Sequence, residues 1–497
     1  MSKRSIVMFV SLVLIFLPTL IAIQRGGVLN VAIPTDVVET LDPHKATGAL
    51  TFEILYNVYE PLLDMDENGM LVPVLAKEWI ISEDGLRYTF FLKETVSFHD
   101  GSYFSSKDVQ YSFERILDPQ TVYPKASNYA AIETILSPDP YTVEFILHQV
   151  YAPFLALVSK IHIVPYGADE GLERSPIGTG PFVLKEWRRD QYLYLEAFPD
   201  YHENELPYLD GAYFRVIPDL NVQVLSLRKG DIHVIPRLDP AYMFDLINDP
   251  NFTYRTAPMN LVQVLAINNA RSPLTDIRLR QAITHAVDRQ ALIDVVAEGY
   301  GKPLTSHMPT GDYHSLDLSE MYPYDPAKAR ALIDEIGPLP RPLVIALPQP
   351  YPLHQRTGEV IGQMLSNVGI PVQLRIVEWG TWLADVYRAR EYDMTVIGHP
   401  GEPDPFLLLD RFYSDVGRNY MNYFDPEMDQ LLNVSLEEVD FDNRALIIQQ
   451  ILYKLAEEAV AVWIMEPEEI VGLRKEVQGW IIYPIYVDAL KKVWLAK

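Results

Sequence analysis

Several short patterns in the chain approach known reaction chemistry, and each fails at one position. Gly178-Thr179-Gly180 opens like a dinucleotide-binding turn, but Val183 stands where a third small residue must let the helix come close to the pyrophosphate. Asp64, Asp66, Asn68 and Gly69 repeat the first half of a calcium loop, yet its twelfth position is Leu75 and not a bidentate glutamate, so a tight polar turn is expected. His202-Glu203 begins like a zinc-protease helix, with Leu206 where the second imidazole belongs. Gly301-Lys302 lacks the earlier glycine of a phosphate loop, since Val296 fills that place. Cysteine is absent, which excludes disulfides, thiolate metal sites, a cysteine nucleophile and a lipid-modified N-terminal cysteine. Paired carboxylates could serve glycoside hydrolysis. With 67 acidic residues chance pairs are inevitable, and nothing singles out a nucleophile or base. The chain is therefore expected not to be an enzyme and to need no metal or cofactor, with an exported hydrolase and a tethered structural protein as rival classes.

Charge narrows the partners. Lys plus Arg is 41 against 67 for Asp plus Glu, a formal balance of −26 over 497 residues, which argues against nucleic acid because phosphate binding depends on clustered cations. Hydrophobic residues make up 48%, enough for extended cores and too many for a disordered chain. The start, Met1-Ser2-Lys3-Arg4-Ser5 followed by an apolar run from Ile6 to Ile23, has the basic and hydrophobic regions of a secretory signal. The run is also near the length that spans a bilayer. Residues 1–25 are read as a signal peptide or an N-terminal anchor, which places the rest outside the cytoplasm.

The elements that must position any site fall into two textures. Up to about residue 260 strand patterns dominate: Leu29 to Ile33, the alternation Leu86, Tyr88, Phe90, Leu92, and a hairpin of Phe182 to Trp187 with Tyr192 to Phe198. Ala49 to Leu63 reads as an amphipathic helix, and Ser105 with Asp108 as a capping box. Beyond 260 strands alternate with helices. Leu261 to Ile267 precedes a helix faced by Leu279, Ile283, Ala286 and Val287; Asp325-Pro326 caps a helix that Gly337 ends. Val360, Ile361, Met364, Leu365 and Val368 form a helical stripe before the strand Val372 to Val377, and Val460 to Ile464 is a further apolar strand. The alternation predicts an α/β domain with a largely parallel sheet.

Thr40-Leu41-Asp42-Pro43-His44, Val58-Tyr59-Glu60-Pro61-Leu62-Leu63, Ser97-Phe98-His99-Asp100-Gly101, Pro176-Ile177-Gly178-Thr179-Gly180-Pro181-Phe182, Asn268-Asn269 and Asp276-Ile277-Arg278-Leu279-Arg280-Gln281-Ala282-Ile283 together resemble the family 5 extracellular solute-binding proteins, the dipeptide and oligopeptide receptors of ABC importers. Taken singly these segments are turn formers and helix stops; their order carries the likeness over nearly the whole chain. The resemblance implies a two-lobed, periplasmic-binding-protein-like α/β fold, its lobes joined by two hinge strands and closing on a ligand. It divides the chain into lobe I (26–50, 175–260 and 466–497), a subdomain inserted in it (51–174) and lobe II (261–465). It implies a receptor that acts as a monomer with a membrane permease, taking peptides or, alternatively, oligosaccharides.

The resemblance also nominates residues. Its hinge would include Ile267, Asn268, Ile464 and Met465. The acidic position that holds a peptide's α-ammonium in relatives aligns with His399, beside Gly398, so that role passes to Asp404 or another acid, or the ligand has no ammonium to hold. Arg356 matches the carboxylate-binding arginine of dipeptide receptors, where a guanidinium grips two oxygens at once. Trp379 and Trp382 offer flat faces for a sugar or a peptide side chain, or else pack in the core.

Overall fold

The computed structural model of the chain describes residues 23–496 apart from 38, 39, 169, 170, 350 and 486. The apolar run expected to be a signal or anchor therefore lies almost wholly outside the described residues, among which no helix is long and apolar enough to cross a membrane.

The organising element is the strand Ala461–Arg474, fourteen residues long and buried over most of its length. Its first half pairs antiparallel with Leu261–Ile267, from Ala266 opposite Ala461 to Gln263 opposite Met465. Its second half pairs with Phe252–Pro258, from Pro258 opposite Glu468 to Phe252 opposite Arg474. One strand is thus shared by two sheets. On one side the sheet continues through Val234–Ile235, Val28–Ile33, Gly211–Val216, Tyr192–Ala197 and Phe182–Arg188. On the other it continues through Leu261–Ile267, Met394–Pro400, Leu343–Pro348 and Val372–Val377. The apolar run read as ending at Ile464 is only the first half of this strand. The second sheet is also less parallel than its alternation suggested: Leu343–Pro348 runs parallel to both neighbours, but Leu261–Ile267 is antiparallel to Met394–Pro400 and to the long strand.

Helix starts follow local chemistry. The Asp325 carboxylate accepts from the backbone N–H groups of Ala327 and Lys328 with Pro326 in the first turn, and Asp425 with Pro426 repeats the arrangement. The capping box at Ser105 and Asp108 is present. Asp66, from the calcium-like segment, accepts from the N–H groups of Asn68 (2.9 Å) and Met70 (2.8 Å), closing the turn of a small hairpin. Gly178 and Gly180 have their own reason: a Cβ on Gly178 would stand 2.1 Å from the Val58 carbonyl oxygen, and Gly180 N–H donates to that oxygen at 2.9 Å. Only a bare backbone fits there.

The inserted unit has its own sheet, Ala76–Ile81, Arg87–Leu92, Thr142–Leu147 and Ile132–Asp139, with the helix Ser106–Leu117 against it. The expected boundary at residues 50 and 51 cuts through a helix, Ala49–Leu55, which is shorter than the pattern to Leu63 suggested. Ile54, Leu55, Val58 and Tyr59 are buried with Leu29, Val31 and Phe214 in the core of the first sheet, whereas Leu62 onward packs with the inserted unit. Packing follows the sheet each apolar face meets, so the residues up to Tyr59 pack with the first sheet and those from Leu62 with the inserted unit. The inserted unit is seated against the second lobe: Ala152 N–H donates to the Leu436 carbonyl at 2.9 Å, and Lys160 forms an ion pair with Glu402.

Candidate functional site

Where the chain passes between the sheets, Met259 N–H donates to the Pro467 carbonyl (2.8 Å) and Asn260, at φ 51°, accepts from Gly401 N–H (2.7 Å). The two crossings are therefore residues 258–261 and 465–468. Met465 opens the second of them, opposite Gln263 and Pro303. Ile464 is buried in the second lobe's core. Ile267 and Asn268 lie elsewhere: Ile267 pairs with Met394 at the far end of its strand, and the Asn268 amide donates to the carbonyls of Arg390 (2.9 Å) and Tyr392 (3.0 Å). Both make their hydrogen bonds within the second lobe, at the end of the strand away from the crossings.

At the end of the second sheet nearest the crossings a polar group lies beneath the inserted unit. The Trp463 indole N–H donates to His307 Nδ1 at 2.9 Å, His307 Nε2 lies 3.3 Å from His399 Nδ1, and His399 Nε2 lies 2.7 Å from the Tyr420 hydroxyl. Gln263 donates to His354 Nδ1 (2.9 Å) and Thr357 Oγ1 (3.3 Å). Burial holds His354 down to about 4, and it drives His307 and His399 well below the usual imidazole range, helped by the charge of Arg411. These imidazoles are neutral. The carboxylate at this edge is Glu402. Burial raises it, but Lys160 and Lys125 outweigh burial and keep it below the ordinary range. It is already paired, with Lys160 and, at 3.9 Å, with Lys125.

The residues nominated from the sequence separate clearly. His399 belongs to the buried chain, 5% exposed. Gly398 faces Leu261, whose side chain would stand 2.8 Å from an added Cβ. Asp404 caps the helix Pro405–Leu409, accepting from Phe406 N–H at 2.8 Å, and its two oxygens are held by Arg444 at 2.6 and 2.8 Å. Both oxygens are committed, so it is a structural acid. Arg356 is exposed on the outer face of Pro352–Asn367, whose inner face is His354, Thr357, Gly358 and Ile361, so it points away from the polar group. Trp379 and Trp382 stack on each other, 5.0 Å apart at 8°, while Trp382 is buried and its indole N–H donates to Thr395 at 2.9 Å. The zinc-like His202 instead pairs with Glu60 at 2.8 Å, beside Tyr201. Gln263, His307, His354, Thr357, Glu402, Arg411 and Tyr420 were not nominated; they come from separate stretches of chain between residues 263 and 420 and carry no local signature.

A shared strand between two α/β lobes, with a polar edge facing an inserted third unit, defines a two-lobed solute-binding protein. The profile of the bacterial extracellular solute-binding proteins, family 5, matches residues 70–420, and the chain belongs to that family. It is 30% identical over 456 residues to the dipeptide-binding protein of Escherichia coli (strain K12), covering 84% of each chain. Among solved structures it resembles the ABC transporter substrate-binding protein CtaP of Listeria monocytogenes (TM-score 0.88, 26% identity, 95% of this chain and 100% of that one). It also resembles the periplasmic binding protein DppA of Helicobacter pylori in complex with the peptide STSA (TM-score 0.79, 26% identity, 95% and 99%). These relatives are binding proteins of ABC importers and not enzymes, and the family is extracytoplasmic.

Proposed function

We propose that the chain captures a peptide or peptide-like solute between its lobes and presents it to the permease of an ABC importer, with residues 258–261 and 465–468 as the hinge. The observation that carries this reading is the polar edge of the second sheet, with His399, His354, Gln263 and Tyr420 set beneath the inserted unit that Lys160 and Glu402 bring against it. Closing such a cleft removes water and strengthens the few hydrogen bonds that select a ligand. Hinge closure around a solute is a rigid-body motion that two short crossings permit. The names of the relatives point to peptides. An oligosaccharide is less well served, because Trp379 and Trp382 spend a face on each other.

A thermal-shift screen of di- and oligopeptides against oligosaccharides tests this. Ligand at ~100 times Kd stabilises the folded form by ~2.7 kcal/mol. Peptides should raise the melting temperature; if only sugars do so, the peptide reading is wrong. Native mass spectrometry of the purified protein would name a retained solute.

A further inference from the structure

Resting on the reading of this cleft as a solute site, we propose that its ligand is anionic: Arg411 and the Tyr420 hydroxyl together receive a carboxylate, at an edge where Glu402 and Asp410 each already have a cationic partner.

The buried chain has a direction. An indole N–H can only donate, so His307 Nδ1, 2.9 Å from Trp463 Nε1, is an acceptor. A neutral His307 must then carry its proton on Nε2, which donates to His399 Nδ1. His399 in turn carries its proton on Nε2 and donates to the Tyr420 hydroxyl oxygen at 2.7 Å. Both imidazoles are kept neutral by burial, with Arg411 acting in the same sense. The Tyr420 oxygen is thus an acceptor already in use, and its own O–H is left over as a donor. Among the described residues no acceptor takes that proton. Each link polarises the next, which makes the terminal O–H a stronger donor than an isolated phenol.

Arg411 supplies the charge. Its Nε donates to the Leu408 carbonyl at 2.8 Å, and among the described residues no carboxylate pairs with its guanidinium. Burial lowers its basicity, and its field reaches Tyr420, His399 and His307. A half-buried guanidinium without a counter-ion is unfavourable until an anion arrives. The nearby carboxylates each have a cationic partner: Glu402 is held by Lys160 and Lys125, and Asp410 pairs with Arg418 through one oxygen, its other oxygen being buried without a partner among the described residues. In a protein of formal charge −26 this edge is locally cationic.

Isothermal titration of the purified chain with Ala-Phe, N-acetyl-Ala-Phe, Ala-Phe amide and glutarate tests the proposal. Acetylation should leave affinity within about threefold, while amidation should weaken it roughly tenfold or more, as expected for a lost charge-assisted contact. Arg411→Gln should weaken the acid form by a similar factor and leave the amide unchanged, and Tyr420→Phe should act in the same direction. An amide that binds as tightly as the acid, a tenfold loss on acetylation, or no binding by any of the carboxylate probes overturns the proposal. Glutarate binding where no peptide binds would retire the peptide reading and support the anion site. The ligand series on the unaltered protein decides the matter even if a variant fails to fold.

Discussion

Replacing Glu402 with glutamine separates a closed-state latch from a ligand-binding carboxylate. Glu402 and Lys160 keep 20% and 28% side-chain exposure where the inserted unit meets the second lobe, so their contact exists only when those units are together. With the units apart both groups are hydrated and the exchange costs nothing. In the closed form the glutamine leaves Lys160 half-buried without an anion. Exposed pairs contribute about 0.2–1 kcal/mol and a fully buried pair costs about 3–5 kcal/mol when broken. At this intermediate exposure about 1–2 kcal/mol is expected, or roughly five- to thirtyfold in the closed-to-open ratio. Ligand affinity should fall by up to that factor, since only the closed fraction grips the solute. Small-angle scattering of the ligand-free protein and titration with a peptide from the screen are the two readouts, and Lys160→Met should act in the same direction. In the double variant no charge is stranded, so most of the loss should return. Unchanged scattering and affinity in Glu402→Gln would refute the latch. So would a Lys160→Met protein that binds free-amine peptides more tightly, because Glu402 would then be an ammonium site that Lys160 blocks.

Two further outcomes follow from the fold. Gly178→Ala puts a Cβ 2.1 Å from the Val58 carbonyl and 2.8 Å from the Tyr59 ring; backbone cannot yield as a side chain can, so a loss of ~1–3 kcal/mol or more is expected in urea unfolding, and an unchanged midpoint would contradict the packing described. Asp488, buried with Glu53, Glu469 and Arg237 near it, is pushed up to about 8 by burial and by the Glu53 charge. The folded form then holds a proton that the unfolded chain, with an ordinary aspartate near ~3.9, has released, so stability declines as pH rises from ~4 to ~8. Asp488→Asn should flatten that decline in melting temperatures taken between pH 5 and 8, and parallel slopes for the two proteins would count against the assignment.

The fold was legible because its signals are local. The hairpin at Phe182 and Tyr192, the cap at Asp325 and the strand at Leu261 each follow from a few neighbouring residues. Two site nominations could have been settled by the same signals. Asp404-Pro405 repeats the Asp325-Pro326 pattern, and so reads as a helix cap. The stripe of Val360, Ile361, Met364 and Leu365, extended back by four and seven residues from Ile361, reaches Thr357 and His354 and leaves Arg356 outside. The remaining residues have no such route. His307, His399, Tyr420 and Trp463 meet only because one loop, two strands and a second loop end at one sheet edge, and a single sequence holds no trace of that meeting. The long strand was likewise cut short, since Glu466-Pro467-Glu468 interrupts the apolar pattern where the strand leaves one sheet for the other.

The shared strand also sets an order of assembly. The first lobe begins its sheet at Val28, yet Val234–Ile235 and Phe252–Pro258 gain their common neighbour only when residues 468–474 have been made. A nascent chain emerging from its amino end therefore carries open sheet margins almost to completion. The polypeptide is thus kept from finishing either half early, and its unpaired edges stay open for most of its synthesis.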